Sequence, residues 1–198
     1  MLIKKVILGF KIIARLITHS NSSYSSIVEK VCLEQLEVKP DDRFIKWFLS
    51  NQYVNSKKLD EAQILLESLV SQGPVDRAAI LLLSRIYFKS QQYKNVIEIL
   101  DGYDELRDSD PHNYYLGYSF IELKKFGDAI KYLGKYVKHH PKDYVGFVRL
   151  GYAYYMKKMY GLSLEAYRKA EELNPAEQEI RKSIELCTDM LNGDQTLQ

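Results

Sequence analysis

Leu150-Gly151-Tyr152-Ala153-Tyr154 has three counterparts earlier in the chain: Leu116-Gly117-Tyr118-Ser119-Phe120, Leu83-Ser84-Arg85-Ile86-Tyr87 and Leu49-Ser50-Asn51-Gln52-Tyr53. Each is a Leu, a small residue directly after it, and an aromatic residue four places from the Leu. The leading Leu residues are spaced by 83−49 = 34, 116−83 = 33 and 150−116 = 34 positions. Each copy continues in phase with a small residue and a bulky one four places later: Ala62 and Leu66, Val96 and Leu100, Ala129 and Leu133, Ser163 and Tyr167. Three copies close on Pro74, Pro141 and Pro175.

This spacing has a physical reading. A Leu and an aromatic four apart share one face of a helix, and the small residue beside the Leu lets a second helix come close. The small residue twelve places later supplies the matching contact on that second helix. Proline then stands where the helix stops, having no N–H to donate and clashing with the preceding turn. One such helix pair cannot bury its apolar face alone, so neighbouring pairs stack.

The pattern resembles the tetratricopeptide repeat, in which W-x-x-L-G-x-x-Y, A-x-x-x-F and a closing Pro mark a helix-turn-helix unit. The resemblance covers residues 43 to about 192. It implies an all-α, right-handed superhelical α-solenoid with repeats at 43–76, 77–109, 110–143 and 144–177. The family's leading Trp position holds Lys46, Ile80, Asn113 and Phe147 instead. The second unit has Asp108 in place of the closing Pro, lies in the acidic stretch from Asp104 to Asp110, and is one residue short.

At 198 residues, with 46% hydrophobic and 27% charged residues, the composition is that of one well-packed soluble domain. A net charge of +2 gives no field for nucleic acid, and the repeats carry no basic stripe interleaved with aromatics. Cys32 and Cys187 form no C-x-x-C pair and fall on apolar helix faces, as buried free thiols in a reducing, cytoplasmic compartment would.

Charge is uneven: residues 1–28 hold Lys4, Lys5, Lys11 and Arg15 and no acid, leaving 28−4 = 24 basic against 26 acidic residues elsewhere. On a helical projection of residues 2–19 these cations gather in one sector, into which only Leu8 and Ile12 intrude, with Phe10 and the other Leu, Ile and Val residues opposite. Lys11 and Arg15 interrupt what a secretory signal would keep apolar, and the segment is too short in apolar residues to span a bilayer. Three readings stay open. Residues 1–20 form a basic amphipathic helix on a membrane surface, through Lys4, Lys5, Phe10, Lys11 and Arg15. Alternatively they are the first helix of a degenerate repeat completed by a helix in 21–42 and ending at Pro40. In a eukaryotic source they would be a mitochondrial presequence. At the other end, Asn174-Pro175-Ala176-Glu177 reads as a helix start, and Ile180, Ile184, Cys187 and Leu191 make one apolar stripe. A capping helix over 178–192 and a flexible tail over 193–198 are expected.

No catalytic chemistry is legible. The only adjacent histidines, His139 and His140, diverge on a helix rather than sharing a face, so no metal is expected. Asp108-Ser109-Asp110 fails as a calcium loop because Asn113 stands at its sixth position and Ser119 at its twelfth. There is no phosphate-binding glycine loop, nucleophile elbow or H-E-x-x-H motif. The chain reads as a non-enzyme without cofactor.

The resemblance implies that the first helix of each repeat lines an inner surface. Transferred by spacing, that surface takes Trp47, Asn51 and Asn55 from the first repeat, and Leu81, Arg85, Phe88 and Lys89 from the second. Tyr114, Tyr118 and Glu122 come from the third; Val148, Arg149, Tyr152, Tyr155 and Met156 from the fourth. It suits an extended or helical peptide with apolar anchors and an acid. Some family members clamp a terminal carboxylate there, but Tyr118 and Glu122 occupy positions where such a clamp needs cations. The expected function is a scaffold or adaptor that binds a peptide or protein partner, with an anionic membrane surface and self-association as further options. The alternatives are a soluble chaperone of secretion substrates dimerising through its N-terminal helix, and a repeat domain regulating a separate enzyme.

Overall fold

The computed structural model describes residues 22–72, 76–101, 103 and 110–195. These form ten helices and no strand: α1 (Ser22–Val38), α2 (Arg43–Asn55), α3 (Leu59–Ser71), α4 (Arg77–Lys89), α5 (Tyr93–Asp101), α6 (Asp110–Glu122), α7 (Phe126–His139), α8 (Tyr144–Met156), α9 (Tyr160–Leu173) and α10 (Gln178–Gln195). The fold class is all-α, of the solenoid type built from helix-turn-helix pairs. The helices group into two compact units, divided between Ala79 and Ile80. The basic segment 1–20 and the acidic connection 104–109 lie outside the described residues.

The turn inside each repeat has one backbone solution, used four times. Lys57, Gln91, Lys124 and Lys158 adopt left-handed φ values of 61°, 57°, 58° and 59°. Around them the hydrogen bonds of a Schellman motif close the first helix. Lys58 N–H donates to Tyr53 O and Lys57 N–H to Val54 O, and the same pair recurs as Gln92 to Tyr87 and Gln91 to Phe88, Lys125 to Phe120 and Lys124 to Ile121, Met159 to Tyr154 and Lys158 to Tyr155. The carbonyls of Lys58, Gln92, Lys125 and Met159 then accept from Ala62, Val96, Ala129 and Ser163, starting the second helix. The repeat's conserved-phase aromatic therefore ends one helix, and its small residue begins the next.

In the first unit, α2 starts at Asp42, whose side chain accepts from Ile45 N–H at 3.2 Å. Leu49 and Leu66 are fully buried at the α2–α3 contact. Lys46, at the family's Trp position, is buried too. Its ammonium donates to Ser68 Oγ at 2.8 Å and Gln72 Oε1 at 2.9 Å, with Asp41 at 3.7 Å, so the charge is satisfied without the indole. Helix α1 buries Val28 and Cys32, and burial pushes the Cys32 thiol up to about 11. Glu29 ties α1 to the first repeat: its carboxylate accepts from Lys58 at 3.0 and 2.9 Å and from the Tyr53 hydroxyl at 3.1 Å.

In the second unit the small residues act as the spacing implies. A Cβ on Gly117 would lie 2.5 Å from Leu133 Cγ, and one on Gly151 would lie 3.1 Å from the Tyr167 ring. Ser163 Oγ reaches across to donate to Gly151 O at 2.8 Å and lies 3.2 Å from Cys187 Sγ, binding α8, α9 and α10 at one buried point. Tyr167, Ala170, Ile180 and Cys187 form the core there.

Two expectations at the C-terminus are corrected. Asn174 ends α9, its N–H donating to Ala170 O at 2.9 Å, and residues 175–177 turn before α10 begins at Gln178. Asn174 and Pro175 thus close one helix rather than open the next. Helix α10 also runs to Gln195, past the expected start of a loose tail at residue 193.

Glycine exchange should have opposite signs at two places. Gly117→Ala should cost about 1–3 kcal/mol through overpacking against Leu133. Lys124→Gly should relieve a left-handed β-carbon and stabilise by up to about 1 kcal/mol; urea melts of both variants check this. For Glu29, the Lys58 bond is the largest cause holding its carboxyl below the ordinary value of 4.5, with Tyr53 adding and burial opposing. A lowered folded-state pKa means stability present above the unfolded value and lost as pH falls through the folded one. Amide exchange in α1 should therefore quicken as pH falls from about 5 to about 2 once corrected for intrinsic rate, and Glu29→Gln should remove that pH step.

Candidate functional site

Within the second unit the first helices of three repeats, α4 from Ile80 onward, α6 and α8, gather an aromatic cluster around one cation. The Phe88 ring lies 4.7 Å from Tyr115, 5.1 Å from Tyr118 and 6.3 Å from Tyr93. Tyr118 also meets Tyr93 at 6.0 Å and Tyr114 at 6.2 Å. The Arg149 guanidinium lies over the Tyr118 ring, its Cζ 4.6 Å from the centroid, a cation–π geometry. Its positive charge also acts on the Tyr114 phenol, opposing the rise that burial gives that group. No carboxylate among the described residues pairs with Arg149, and its buried Nε has no acceptor.

Burial raises the pKa of Tyr114, opposed chiefly by Arg149, and burial raises Tyr115 against Arg85. Tyr93 is raised first by burial and then by the charge of Glu122. The phenols are therefore neutral donors at ordinary pH, set around a fixed positive charge.

A second layer positions this cluster. Tyr136, a bulky residue late in a second helix, packs 5.2 Å from Tyr114 and donates to Asp143 Oδ2 at 2.6 Å. Asp143 is the N-cap of α8, its other oxygen accepting from Val145 N–H at 3.0 Å. Gly146 makes room for the arrangement, since a Cβ there would be 2.9 Å from the Tyr136 ring. The residue that starts α8 thus also fixes the ring beside Tyr114, one turn and a half before Arg149.

The remaining residues of the sequence-derived set fall differently. Arg85, Lys89 and Glu122 are exposed at the margin. Tyr152 is 39% exposed, with Phe126 edge-on at 6.2 Å. Val148 and Tyr155 lean on the core cluster of α9 and α10, and Tyr155 meets Tyr160 at 5.5 Å. In the first unit, Trp47 is 37% exposed and Asn55 is exposed, while the Asn51 side-chain amide donates to Trp47 O of its own helix at 2.8 Å. The spacing missed Tyr93 and Tyr115. The signal for Tyr93 was present in the period: Tyr93, Phe126 and Tyr160 are spaced 126−93 = 33 and 160−126 = 34, and each packs on an aromatic of a first helix.

Chemically, the cluster offers aromatic faces, phenol donors and one uncompensated guanidinium. Among the described residues no group of three or more His, Cys, Asp or Glu side chains could hold a metal ion.

Residues 55–136 match the family model described as anaphase-promoting complex, cyclosome, subunit 3. The protein SGT1 homolog of Bos taurus is 25% identical over 125 residues, which is 62% of this chain and 37% of that protein, so the chain spans little over a third of this curated relative. Among solved structures, YrrB, described as a TPR protein with an unusual peptide-binding site, superposes with a TM-score of 0.69 at 17% identity, covering 81% of this chain and 88% of YrrB. MamA from Desulfovibrio magneticus RS-1, residues 41 to the end, gives 0.65 at 18% identity, covering 79% and 95%.

Tyr136→Phe should cost about 1–2 kcal/mol, because it removes a bond to a charged acceptor and leaves Asp143 half-satisfied. Chemical denaturation measures the loss, and Asp143→Asn should recover part of it in the double variant, since a neutral acceptor is cheaper to leave unpaired.

Proposed function

We propose that this chain, whose fold is that of tetratricopeptide-repeat proteins, is a non-enzymatic scaffold or adaptor which holds a peptide or protein segment on the α4, α6 and α8 face of its second unit. The observation that carries this reading is Arg149: a guanidinium stacked on Tyr118 and lacking any acidic partner among the described residues. A cation so placed has its apolar contacts made and its charge left for another molecule. Tyr114 and Tyr118 supply rigid, amphipathic contact area at small entropic cost, and Phe88 an apolar anchor. Exposed Arg85, Lys89 and Glu122 form the rim, and Tyr152 and Tyr155 extend the face along α8. By repeat register, Trp47, Asn51 and Asn55 are the corresponding residues of the first unit. The description of YrrB as having a peptide-binding site supports the reading only at the level of shared fold.

Residues 2–19 would place this scaffold at a membrane surface, their cations meeting anionic headgroups. Changing Lys4, Lys5, Lys11 and Arg15 to Glu should then reduce sedimentation with anionic vesicles at low salt.

For the binding face, a peptide array probed with the purified chain should give hits that weaken tenfold or more, on the order of 2 kcal/mol for a central anchor, in Tyr118→Ala and Arg149→Gln. Hits that both variants retain at full strength would move the binding site elsewhere.

A further inference from the structure

The turns inside the repeats of the second unit share an edge. Phe88 and Tyr93, on either side of the turn 90–92, both pack on Tyr118 near the end of α6. Phe126, just after the turn 123–125, packs on Tyr152 near the end of α8. The Ser163–Cys187 contact brings the last turns of α10 to the same end as the start of α9.

That edge is cationic. Lys124, Lys125, Lys157 and Lys158 are all exposed there, and Lys89 and Lys94 flank the preceding turn. None of these six lysines has an ion-pair partner among the described residues. Elsewhere in the unit Lys169 pairs with Glu172, Lys182 with Glu179 and Arg181 with Glu171, while exposed cations such as Lys138, Lys142 and Arg168 stand singly rather than in a row. Among the described residues the exposed acids near the edge, Glu122, Asp128 and Asp189 of α10, are fewer than these six lysines. The edge is also apolar, with Met156, Met159 and Leu162 exposed at 41%, 42% and 41% among the lysines.

From this combination we infer that the turn edge of the second unit docks on an anionic lipid bilayer. Three properties fit that partner. Flexible, unbranched or γ-branched side chains beside long lysine stems match an interface, where apolar tips enter the acyl boundary and ammonium groups reach phosphates. The Schellman bonds satisfy the turn amides from within, so the tips carry no unmet donors into a drier environment. Finally, the rings that follow the turns are turned inward: Tyr160 is buried and Phe126 is half-buried, edge-on to Tyr152, which is itself 39% exposed farther back along α8. A single-stranded nucleic acid would need such rings outside for stacking. The edge adjoins the Arg149 face, sharing Lys89 and Glu122 with its rim, whereas Lys124, Lys125, Lys157 and Lys158 belong to the edge alone.

The test uses the full chain and vesicles of phosphatidylcholine with or without phosphatidylserine, at low salt. Wild type should sediment with the anionic vesicles and less with the neutral ones. The quadruple variant Lys124→Gln, Lys125→Gln, Lys157→Gln and Lys158→Gln, with unchanged thermal melting, should partition about a hundredfold more weakly or worse. In a Trp47→Phe background, Met159→Trp should shift its emission to the blue with anionic vesicles and be quenched by brominated lipid. Unchanged partitioning of the quadruple variant, an unshifted Trp emission, or binding to poly(U) RNA without binding to vesicles would each overturn the inference. An unshifted emission alongside vesicle sedimentation lost on N-terminal charge reversal would leave the tether standing and this edge refuted.

Discussion

In the third and fourth repeats the two helices come closest where a β-carbon is missing. At Gly117 the Leu133 side chain occupies the place a methyl group would take, and at Gly151 the Tyr167 ring does nearly the same. Everything else is organised to bring backbones to that distance. The Schellman turn folds the chain back within two residues, with the repeat's aromatic at one end of its hydrogen bonds and the next helix starting directly from its outer carbonyl. The left-handed residue at the tip is a lysine or glutamine rather than glycine, so about 1 kcal/mol or more of backbone strain is accepted at each turn.

The helix-turn-helix architecture was legible because its determinants are local and repeated. A Leu and an aromatic four apart, a small residue beside the Leu, and a second small residue twelve places on are enough to predict which side chains are buried, and Leu49, Leu83, Leu116 and Leu150 are. What escaped was set by contacts distant in sequence. Lys46 looked like a defect at a Trp position, yet Ser68 and Gln72 cradle its ammonium from the neighbouring helix. Asn174-Pro175 carries the composition of a helix start, but the last carbonyls of α9 claim the Asn174 N–H first.

The candidate site was legible in part for a similar reason. Phe88, Tyr114, Tyr118 and Arg149 come together as their register implies. Helix α8, Tyr-Val-Gly-Phe-Val-Arg-Leu-Gly-Tyr-Ala-Tyr-Tyr-Met, is apolar nearly all round, so its sequence does not say which side packs on α9 and α10 and which stays outside that core. The answer came from packing: Val148 and Tyr155 lean on the core, while Arg149 and Tyr152 do not. Tyr93 belongs to a second aromatic period, through Phe126 and Tyr160, that opens the second helices and so lies outside the register of the first.

The two cysteines have a consequence of their own. Cys32 lies in the first unit and Cys187 in the second, each fully buried and unpaired. Each unit therefore contains one sulfur that an alkylating reagent can reach only when the helix bearing it detaches. The rate at which each thiol is trapped is a clock for the opening of its own unit, and the chain carries both clocks without any engineering.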